Sequence, residues 1–259
     1  MKSNNYSVTK FPKSRNLITD VMWLSKKKSL IHGLCEVNIS RTREFLKNYN
    51  DNRNPRISLL SYLIYCYANS MKEFKSFNSM KKGNKIITYS AVDVSVIVER
   101  ELDGEKYPMN YIIRNCDTKS PAEVNQELIN AKNTPLGEIM YDKKISFFAS
   151  LPAFVRRAIL KYISRSPKHS RKYFGTTGVT SLHTVIKGQF WGMPVSPASM
   201  TMTIGSIHKK YTRINGKVEQ DDFLCITMSA EHELNDGVNG IRMFNYMKDL
   251  IETGYGLKN

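Results

Sequence analysis

The sequence has no long apolar run and no apolar N-terminal segment, and both absences exclude a class of protein. No apolar stretch reaches the ~18 residues that a membrane-spanning helix needs. Residues 1–16 are polar and lack the apolar core of a secretory signal. The sequence therefore predicts a cytoplasmic protein without a transmembrane helix.

Cysteines are few and scattered along the chain. Cys35, Cys66, Cys116 and Cys225 form no C-x-x-C pair. This spacing predicts reduced thiols and indicates neither a disulfide framework nor a zinc site. No metal ion is predicted for this protein.

Acidic residues are also in short supply. The chain carries 39 Lys+Arg against 23 Asp+Glu, a formal net charge of +16. Such an excess is typical of proteins that meet nucleic acid, an anionic membrane or an anionic ligand, although general surface charge explains it as well. No nucleic-acid-binding motif is recognised, so nucleic acid is not an expected partner. Seven basic residues crowd one stretch without an acid among them: Arg156, Arg157, Lys161, Arg165, Lys168, Arg171 and Lys172.

The chain contains no internal repeat and no Pro/Gly/Ser linker, so we predict a single domain over residues 1–259. Apolar residues make up 41%, which is typical of a globular core. Periodicity and breakers predict a mixed order of helices and strands. The predicted helices are Ser14–Lys27, Arg41–Asn48, Ile57–Phe74, Ala122–Lys132 and one beginning near Val238. The predicted strands are Leu34–Ile39, Lys85–Tyr89, Val92–Glu99, Tyr111–Arg114 and Phe223–Met228.

The stretch Ile145–Ser164 has apolar residues at helical spacing, interrupted by Pro152. Because the stretch combines these apolar residues with basic ones, two interpretations of it are open. The first is an ordinary amphipathic helix packed on the core, which we favour. The second is a helix that lies on a membrane surface.

A histidine stands at the junction of a predicted strand and a predicted helix. His232 follows the apolar run Phe223–Met228, and Asp236-Gly237 comes four residues later. An imidazole fixed at a strand end can accept a proton near neutral pH and act as a general base. A His and an Asp that merely shape a polar turn would give the same pattern.

The pattern at His232 resembles the H-x-x-x-D-G signature of the catalytic-core acyltransferase family of 2-oxoacid dehydrogenase complexes. The likeness extends along the chain in the family's order. Gly33–Ile39 is similar to the family's first long strand, and Ala91–Val98 with Tyr111–Ser120 is similar to its paired central strands. Gly178–Leu182 resembles its T-I-S-N-L-G strand.

The resemblance implies a chloramphenicol acetyltransferase-like α/β fold, a two-layer sandwich with a mixed sheet flanked by helices. It also implies a homotrimer in which the active site lies between subunits. The implied activity is acyl transfer between coenzyme A and a thiol, hydroxyl or amine acceptor. No metal or covalent enzyme intermediate is implied.

The resemblance assigns roles to individual residues. His232 would be the general base, and Asp236 a structural anchor near it. Thr180 matches the family's oxyanion-stabilising Ser, since its hydroxyl can donate a hydrogen bond. A one-residue shift would place Ser181 there instead, and Ser181 is a predicted coenzyme A contact. Arg15 is a candidate ion-pair partner of Asp236.

The chain also departs from the family pattern. Glu231 and Glu233 stand where the D-H-R-x-x-D-G motif has Asp and Arg. No lipoyl or subunit-binding segment precedes the core, so we expect a free-standing relative whose acceptor is a separate lipoyl protein, a small thiol or amine, or another group. The alternative is a non-catalytic scaffold of the same fold that binds a partner through Ile145–Lys172.

Overall fold

The structure of the chain is a computed structural model. The structure describes residues 6–12, 15–26, 28–51, 53–102, 105–133, 147–182, 186, 188–214 and 217–257. The α-helices of eight or more residues in the described part are α1 Arg15–Ser25, α2 Ser40–Asn50, α3 Leu59–Glu73, α4 Pro121–Asn133, α5 Ala153–Arg165, α6 Pro167–Phe174 and α7 Gly237–Glu252. The strands are β1 Leu30–Asn38, β2 Ser79–Lys82, β3 Lys85–Thr88, β4 Val94–Leu102, β5 Glu105–Ile113, β6 Thr177–Ser181, β7 Met200–Ile214 and β8 Lys217–Glu231.

Six of these strands form one mixed sheet in the order β1-β8-β7-β6-β4-β5. Strand β6 runs parallel to both of its neighbours, whereas the other pairs are antiparallel. Strands β2 and β3 form a separate hairpin. The predicted α/β fold with a mixed sheet flanked by helices is confirmed.

Local capping signals explain where the helices on the sheet begin. The Ser58 hydroxyl accepts a hydrogen bond from the backbone N–H of Ser61 at the start of α3. Ser120 and Glu123 bond to each other's backbone N–H groups at the start of α4, which is the reciprocal arrangement of a capping box. These side chains satisfy backbone donors that a helix start would otherwise leave free.

The two faces of the sheet differ in chemistry because side chains alternate along each strand. One face is apolar, and helices α3, α4 and α7 pack against it. Its buried residues include Val37, Val94, Val96, Val179, Met202, Ile204, Leu224 and Ile226. The opposite face carries mainly hydroxyl and amide groups, including Ser95, Asn110, Thr180, Thr201, Thr203, Thr227 and Ser229.

Helices α1 and α5 lie over this hydroxyl-bearing face and are joined by a buried ion pair. The Arg156 Nε donates to Asp20 Oδ2 at 2.5 Å, and Asp20 is fully buried. Arg157 reaches the other carboxylate oxygen at 3.2 Å from a more exposed position. The pair fixes α5 to α1. One face of the predicted amphipathic segment therefore packs against the rest of the protein.

Much of the remaining surface of α5 is apolar and exposed, including Phe154 and Tyr162. The described helices include none that is long and apolar enough to cross a bilayer. Residues 145 and 146 of the predicted amphipathic stretch lie outside the described residues.

The basic stretch is partly neutralised by acids that are distant in sequence. Arg156 and Arg157 meet Asp20, and Arg171 donates to the carboxylate of Asp93 at 2.8 Å. Burial works to raise the pKa of Asp93, but hydrogen bonds from Arg171, Asn115 and Arg114 outweigh it and leave that pKa below its usual value. Four members of the stretch are exposed: Lys161, Arg165, Lys168 and Lys172.

Two features of the strand order were not predicted. Strand β7, fifteen residues long, was missed, although it pairs with β8 along most of its length. Strands β3 and β4 were predicted as strands joined by a short break, but they belong to different sheets.

We predict that Arg156→Met lowers the free energy of unfolding by about 3–5 kcal/mol, because it leaves the Asp20 carboxylate buried without its main partner. Denaturant titration at fixed protein concentration measures the change. Arg157→Met is the matched control, and we expect it to cost about 1 kcal/mol or less, since an exposed cation contributes little. Equal losses in the two variants would contradict the assignment of Arg156 as the main partner.

Candidate functional site

The turn between β8 and α7 is fixed by backbone hydrogen bonds. The N–H groups of Leu234 and Asn235 both donate to the Glu231 carbonyl, at 3.1 and 3.2 Å. The N–H of His232 donates to the carbonyl of Ser29, just before β1, at 2.8 Å. The position of the His232 backbone is therefore set by two neighbouring strands.

The two glutamates that flank His232 have different surroundings. Glu231 is buried and accepts hydrogen bonds from Lys28 Nζ at 2.6 Å and from Ser199 Oγ at 2.9 Å. Glu233 lies at the surface and pairs with Lys81 at 2.6 Å. Glu231 thus ties the turn to residues that precede β1 and β7, a contact that sequence reasoning did not find.

The His232 ring is held in one tautomer. Its Nδ1 lies 3.1 Å from the carbonyl oxygen of Asn235. A carbonyl can only accept, so Nδ1 carries the proton and Nε2 of the neutral ring has a free lone pair. The residue is exposed, and within the described part of the chain no hydrogen-bond partner is found for Nε2. A base with this tautomer is able to accept a proton from a group that arrives from outside the protomer.

Asp236 is the N-cap of α7. Its Oδ1 accepts a hydrogen bond from the N–H of Asn239 at 2.9 Å. Asp236 therefore fixes the helix start that follows the His232 turn. The proposed pair between Arg15 and Asp236 is not among the ion pairs of the described residues.

Thr180 and Ser181 lie on opposite sides of β6. Thr180 is half-buried and shares a face with its register partner Thr203. Ser181 pairs with Ile204 and points toward the side of Val179 by strand alternation. The hydroxyl-bearing face of the sheet therefore carries Thr180.

Thr180 and His232 are far apart within one protomer. Thr180 is in register with Thr203, and Thr203 with Thr227, two strands away. His232 lies five residues beyond Thr227 along the chain. A strand spacing of ~4.8 Å and a rise of ~3.3 Å per residue put the two residues roughly 15–20 Å apart. One protomer does not bring the predicted base and the predicted oxyanion donor together.

A cavity of about 740 Å³ lies between the hydroxyl-bearing face and helices α1, α5 and α6. Its lining includes Thr180, Thr201 and Thr203 from the sheet. Leu17, Val21, Ile159 and Ile163 line it from the helices, and Met193 and Val195 from the segment before β7. The cavity is therefore mainly apolar, with hydroxyl groups on its sheet side.

Two of these hydroxyls are buried without a hydrogen bond. Thr201 is 5% exposed and Thr203 is 1% exposed, and within the described residues neither Oγ1 has a partner. A buried hydroxyl without a partner costs about 1–3 kcal/mol, so native proteins seldom keep one unless another group satisfies it. Sequence reasoning missed both residues, because the strand that carries them was not predicted.

A second cluster combines Glu36, His208 and Cys225 on β1, β7 and β8, with one ligand-type atom of each within 4.8 Å of the others. Gln189 and Lys210 also donate to Glu36, at 2.6 and 2.8 Å. The Lys210 hydrogen bond lowers the pKa of Glu36, whereas burial raises the pKa of the Cys225 thiol. The positive charge of Lys210 would repel a metal ion bound by Glu36, His208 and Cys225. We therefore interpret the cluster as a hydrogen-bonded network between strands.

The chain is similar in sequence to a family of acyltransferase catalytic domains. The family model for 2-oxoacid dehydrogenases acyltransferase (catalytic domain) matches residues 3–134, just over half of the chain. A dihydrolipoyllysine-residue acetyltransferase component of the pyruvate dehydrogenase complex from Rickettsia bellii is 24% identical over 209 residues, 80% of this chain and 42% of its own length. A dihydrolipoyllysine-residue succinyltransferase component of the 2-oxoglutarate dehydrogenase complex from Buchnera aphidicola is 22% identical over 216 residues, 83% of this chain and 47% of its own length.

The chain thus spans less than half of the length of these two relatives. Among solved structures, the dihydrolipoamide acetyltransferase of Azotobacter vinelandii is similar, with a TM-score of 0.71 and 15% identity. The match covers 98% of this chain and 96% of that one. At this identity the likeness shows the fold.

We predict that Asp236→Ala lowers the free energy of unfolding by about 1 kcal/mol, because α7 loses its N-cap. Asp236→Asn retains a cap and should stay within a few tenths of a kcal/mol of the unaltered protein. Thermal or denaturant unfolding of the two variants checks this. A large loss in the Asn variant would show that the negative charge, and not the cap, is what the fold needs.

Proposed function

Because this chain belongs to the family of 2-oxoacid dehydrogenase acyltransferase catalytic domains, we propose that it transfers an acyl group between coenzyme A and a thiol acceptor. The observation that carries the proposal is the His232 ring, which is exposed, whose Nδ1 is anchored by a carbonyl and whose Nε2 has no hydrogen-bond partner among the described residues. A dihydrolipoyl group on a separate protein is the first acceptor to test, since the curated relatives are named for a dihydrolipoyllysine residue.

The intervals between the candidate residues support this assignment. In the Azotobacter vinelandii protein, a serine, a histidine and an asparagine were investigated for roles in the catalytic mechanism. The serine precedes that histidine by 52 residues, and the asparagine follows it by four. Thr180 and Asp236 stand at the same intervals from His232. These intervals favour Thr180 over Ser181 as the oxyanion donor.

The same comparison favours a positioning role for Asp236. An asparagine, which has no carboxylate, occupies the corresponding interval in the Azotobacter protein. The Asp236 side chain caps α7, and an asparagine can cap a helix equally well. Asp236 therefore holds the His232 turn in place and is not needed as a proton acceptor.

The proposed reaction is a direct transfer. Nε2 of His232 takes the proton of the acceptor thiol, and the sulfur attacks the acyl carbon of the thioester. The hydroxyl of Thr180 donates a hydrogen bond to the oxygen that becomes negative in the tetrahedral intermediate. The bond to the sulfur of coenzyme A then breaks, and the imidazolium returns its proton to the departing thiolate.

The site requires two protomers. His232 and Thr180 are roughly 15–20 Å apart in one protomer, so the imidazole of one copy must reach the threonine of another. A cyclic assembly in which each copy gives its His232 to one neighbour provides identical sites around the ring. We propose that this assembly is a homotrimer.

We predict that His232→Ala and Thr180→Val each lower the rate of coenzyme A release from an acyl-CoA in the presence of dihydrolipoamide. The expected losses are roughly 10²–10⁴-fold for the base and roughly 10²–10³-fold for the oxyanion donor. Thr180→Ser keeps the hydroxyl and should retain most of the activity, which makes it the matched control. An active His232→Ala protein would refute the assignment of the base.

We further predict that the two inactive variants complement each other when they are co-expressed and assemble together. In a randomly mixed trimer with sites between neighbours, about a quarter of the sites combine an intact His232 with an intact Thr180. Activity should return to about that fraction of the wild-type value, and size-exclusion chromatography should give the same assembly for all proteins. No recovery in verified mixed assemblies would place the site within one protomer. Absence of both activity and coenzyme A binding in the wild-type protein would favour a non-catalytic scaffold.

A further inference from the structure

The cavity beside Thr180 is much larger than a two-carbon acyl group. Its volume is about 740 Å³. An acetyl group takes up space comparable to two water molecules, roughly 60 Å³. Cavities of several hundred Å³ with apolar walls and a few polar groups are typical of small-molecule sites. The size and the lining therefore fit a longer apolar chain.

The part of the lining that the structure describes is also uncharged. Among the described residues, no Asp, Glu, Lys, Arg or His lines the cavity. A buried carboxylate without a cationic partner is strongly disfavoured. An acyl group that ends in a carboxylate, such as succinyl, consequently does not fit this cavity.

The sheet side of the cavity offers a hydroxyl at Thr180, which lines the cavity and is half-buried. A carbonyl oxygen of a bound molecule can accept a hydrogen bond from this hydroxyl. The Oγ1 atoms of Thr201 and Thr203 have no partner in the described residues, but they are covered by protein atoms and are not open to the cavity. A ligand with one carbonyl at the sheet and an apolar chain under α1 and α5 satisfies both halves of the cavity.

We propose that this cavity holds the acyl chain of the thioester substrate, and that the preferred acyl group is uncharged, apolar and of about eight carbons or more. The proposal rests on the function proposed above. The thioester carbonyl lies at Thr180, and the chain extends between the sheet and the apolar residues of α1 and α5, such as Val21 and Ile159.

The first experiment measures binding without catalysis. Isothermal titration calorimetry with N-methyloctanamide, a neutral amide with an eight-carbon acyl chain, tests the cavity directly. Ile97→Trp places a bulky side chain at the cavity from a residue that is 53% exposed. Leu34→Trp is the matched control, because Leu34 is 52% exposed on the same face of the sheet and does not line the cavity. We expect binding to the wild-type and Leu34→Trp proteins and at least tenfold weaker binding to Ile97→Trp.

A second variant tests the hydroxyl at which the carbonyl is placed. Thr180→Val replaces this hydroxyl by a methyl group of similar shape. It should weaken N-methyloctanamide binding roughly three- to tenfold, since one hydrogen bond to the ligand is lost. Unchanged binding would overturn the placement of the carbonyl at Thr180.

The third measurement compares kcat/KM for coenzyme A release from acetyl-, succinyl- and octanoyl-CoA. We expect octanoyl-CoA to exceed the other two at least tenfold in the wild-type protein. A preference for acetyl- or succinyl-CoA would overturn the acyl assignment even if the amide binds. Absence of amide binding, or equal binding to Ile97→Trp, would overturn the cavity itself. Amide binding without release from any acyl-CoA would refute the proposed function, and with it the acyl assignment, while retaining a site for a neutral apolar ligand.

Discussion

The register of β8, β7 and β6 is the constraint on which the proposed chemistry depends. These strands place Thr227, Thr203 and Thr180 in one row, and β8 continues past that row before the chain turns at His232. Bringing His232 level with Thr180 would need a register shift of five residues. A shift by an odd number would turn the apolar side chains of β8 away from the core. The distance between the imidazole and the Thr180 hydroxyl is therefore a fixed property of the protomer, and an acyl transfer that uses both requires a neighbouring copy.

The two faces of the same sheet separate the main core from the proposed ligand cavity. The apolar face is covered by α3, α4 and α7 and forms the main core. The opposite face has hydroxyl groups, and it is covered at a distance by α1 and α5, which the buried Asp20–Arg156 pair holds together. Helices α1 and α5 contact each other through this ion pair and do not pack closely on the sheet. A cavity therefore remains between these helices and the hydroxyl-bearing face.

The turn at His232 shows how a departure from the family pattern is accommodated. Where the resembling motif has Asp before the histidine, Glu231 is buried and accepts hydrogen bonds from the half-buried Lys28 and the buried Ser199. Glu233 replaces an Arg and pairs with Lys81 on the surface. The main-chain bonds of the turn do not depend on either side chain, so the carbonyl of Asn235 remains available to Nδ1 of His232.

Elements that rest on local interactions can be predicted from the residues next to them in the chain. Helices α3 and α4 begin at Ser58 and next to Ser120 because their side chains cap backbone groups within three residues. The strand–turn–helix unit around His232 and Asp236 was likewise predictable, since a β-prone run, an N-cap residue and a helical period follow one another along the chain.

Tertiary structure alone decided everything that depends on pairing across long sequence separations. Strand β7 escaped prediction because its register shifts between Ile204 and Ile207 and because it carries His208, Lys209 and Lys210 in a row. Without that strand, neither the Thr201 and Thr203 hydroxyls nor the contact of His208 with Glu36 was foreseeable. The separation of His232 from Thr180 has the same origin, because strand order and register are set by the packing of whole faces and not by the residues adjacent in sequence.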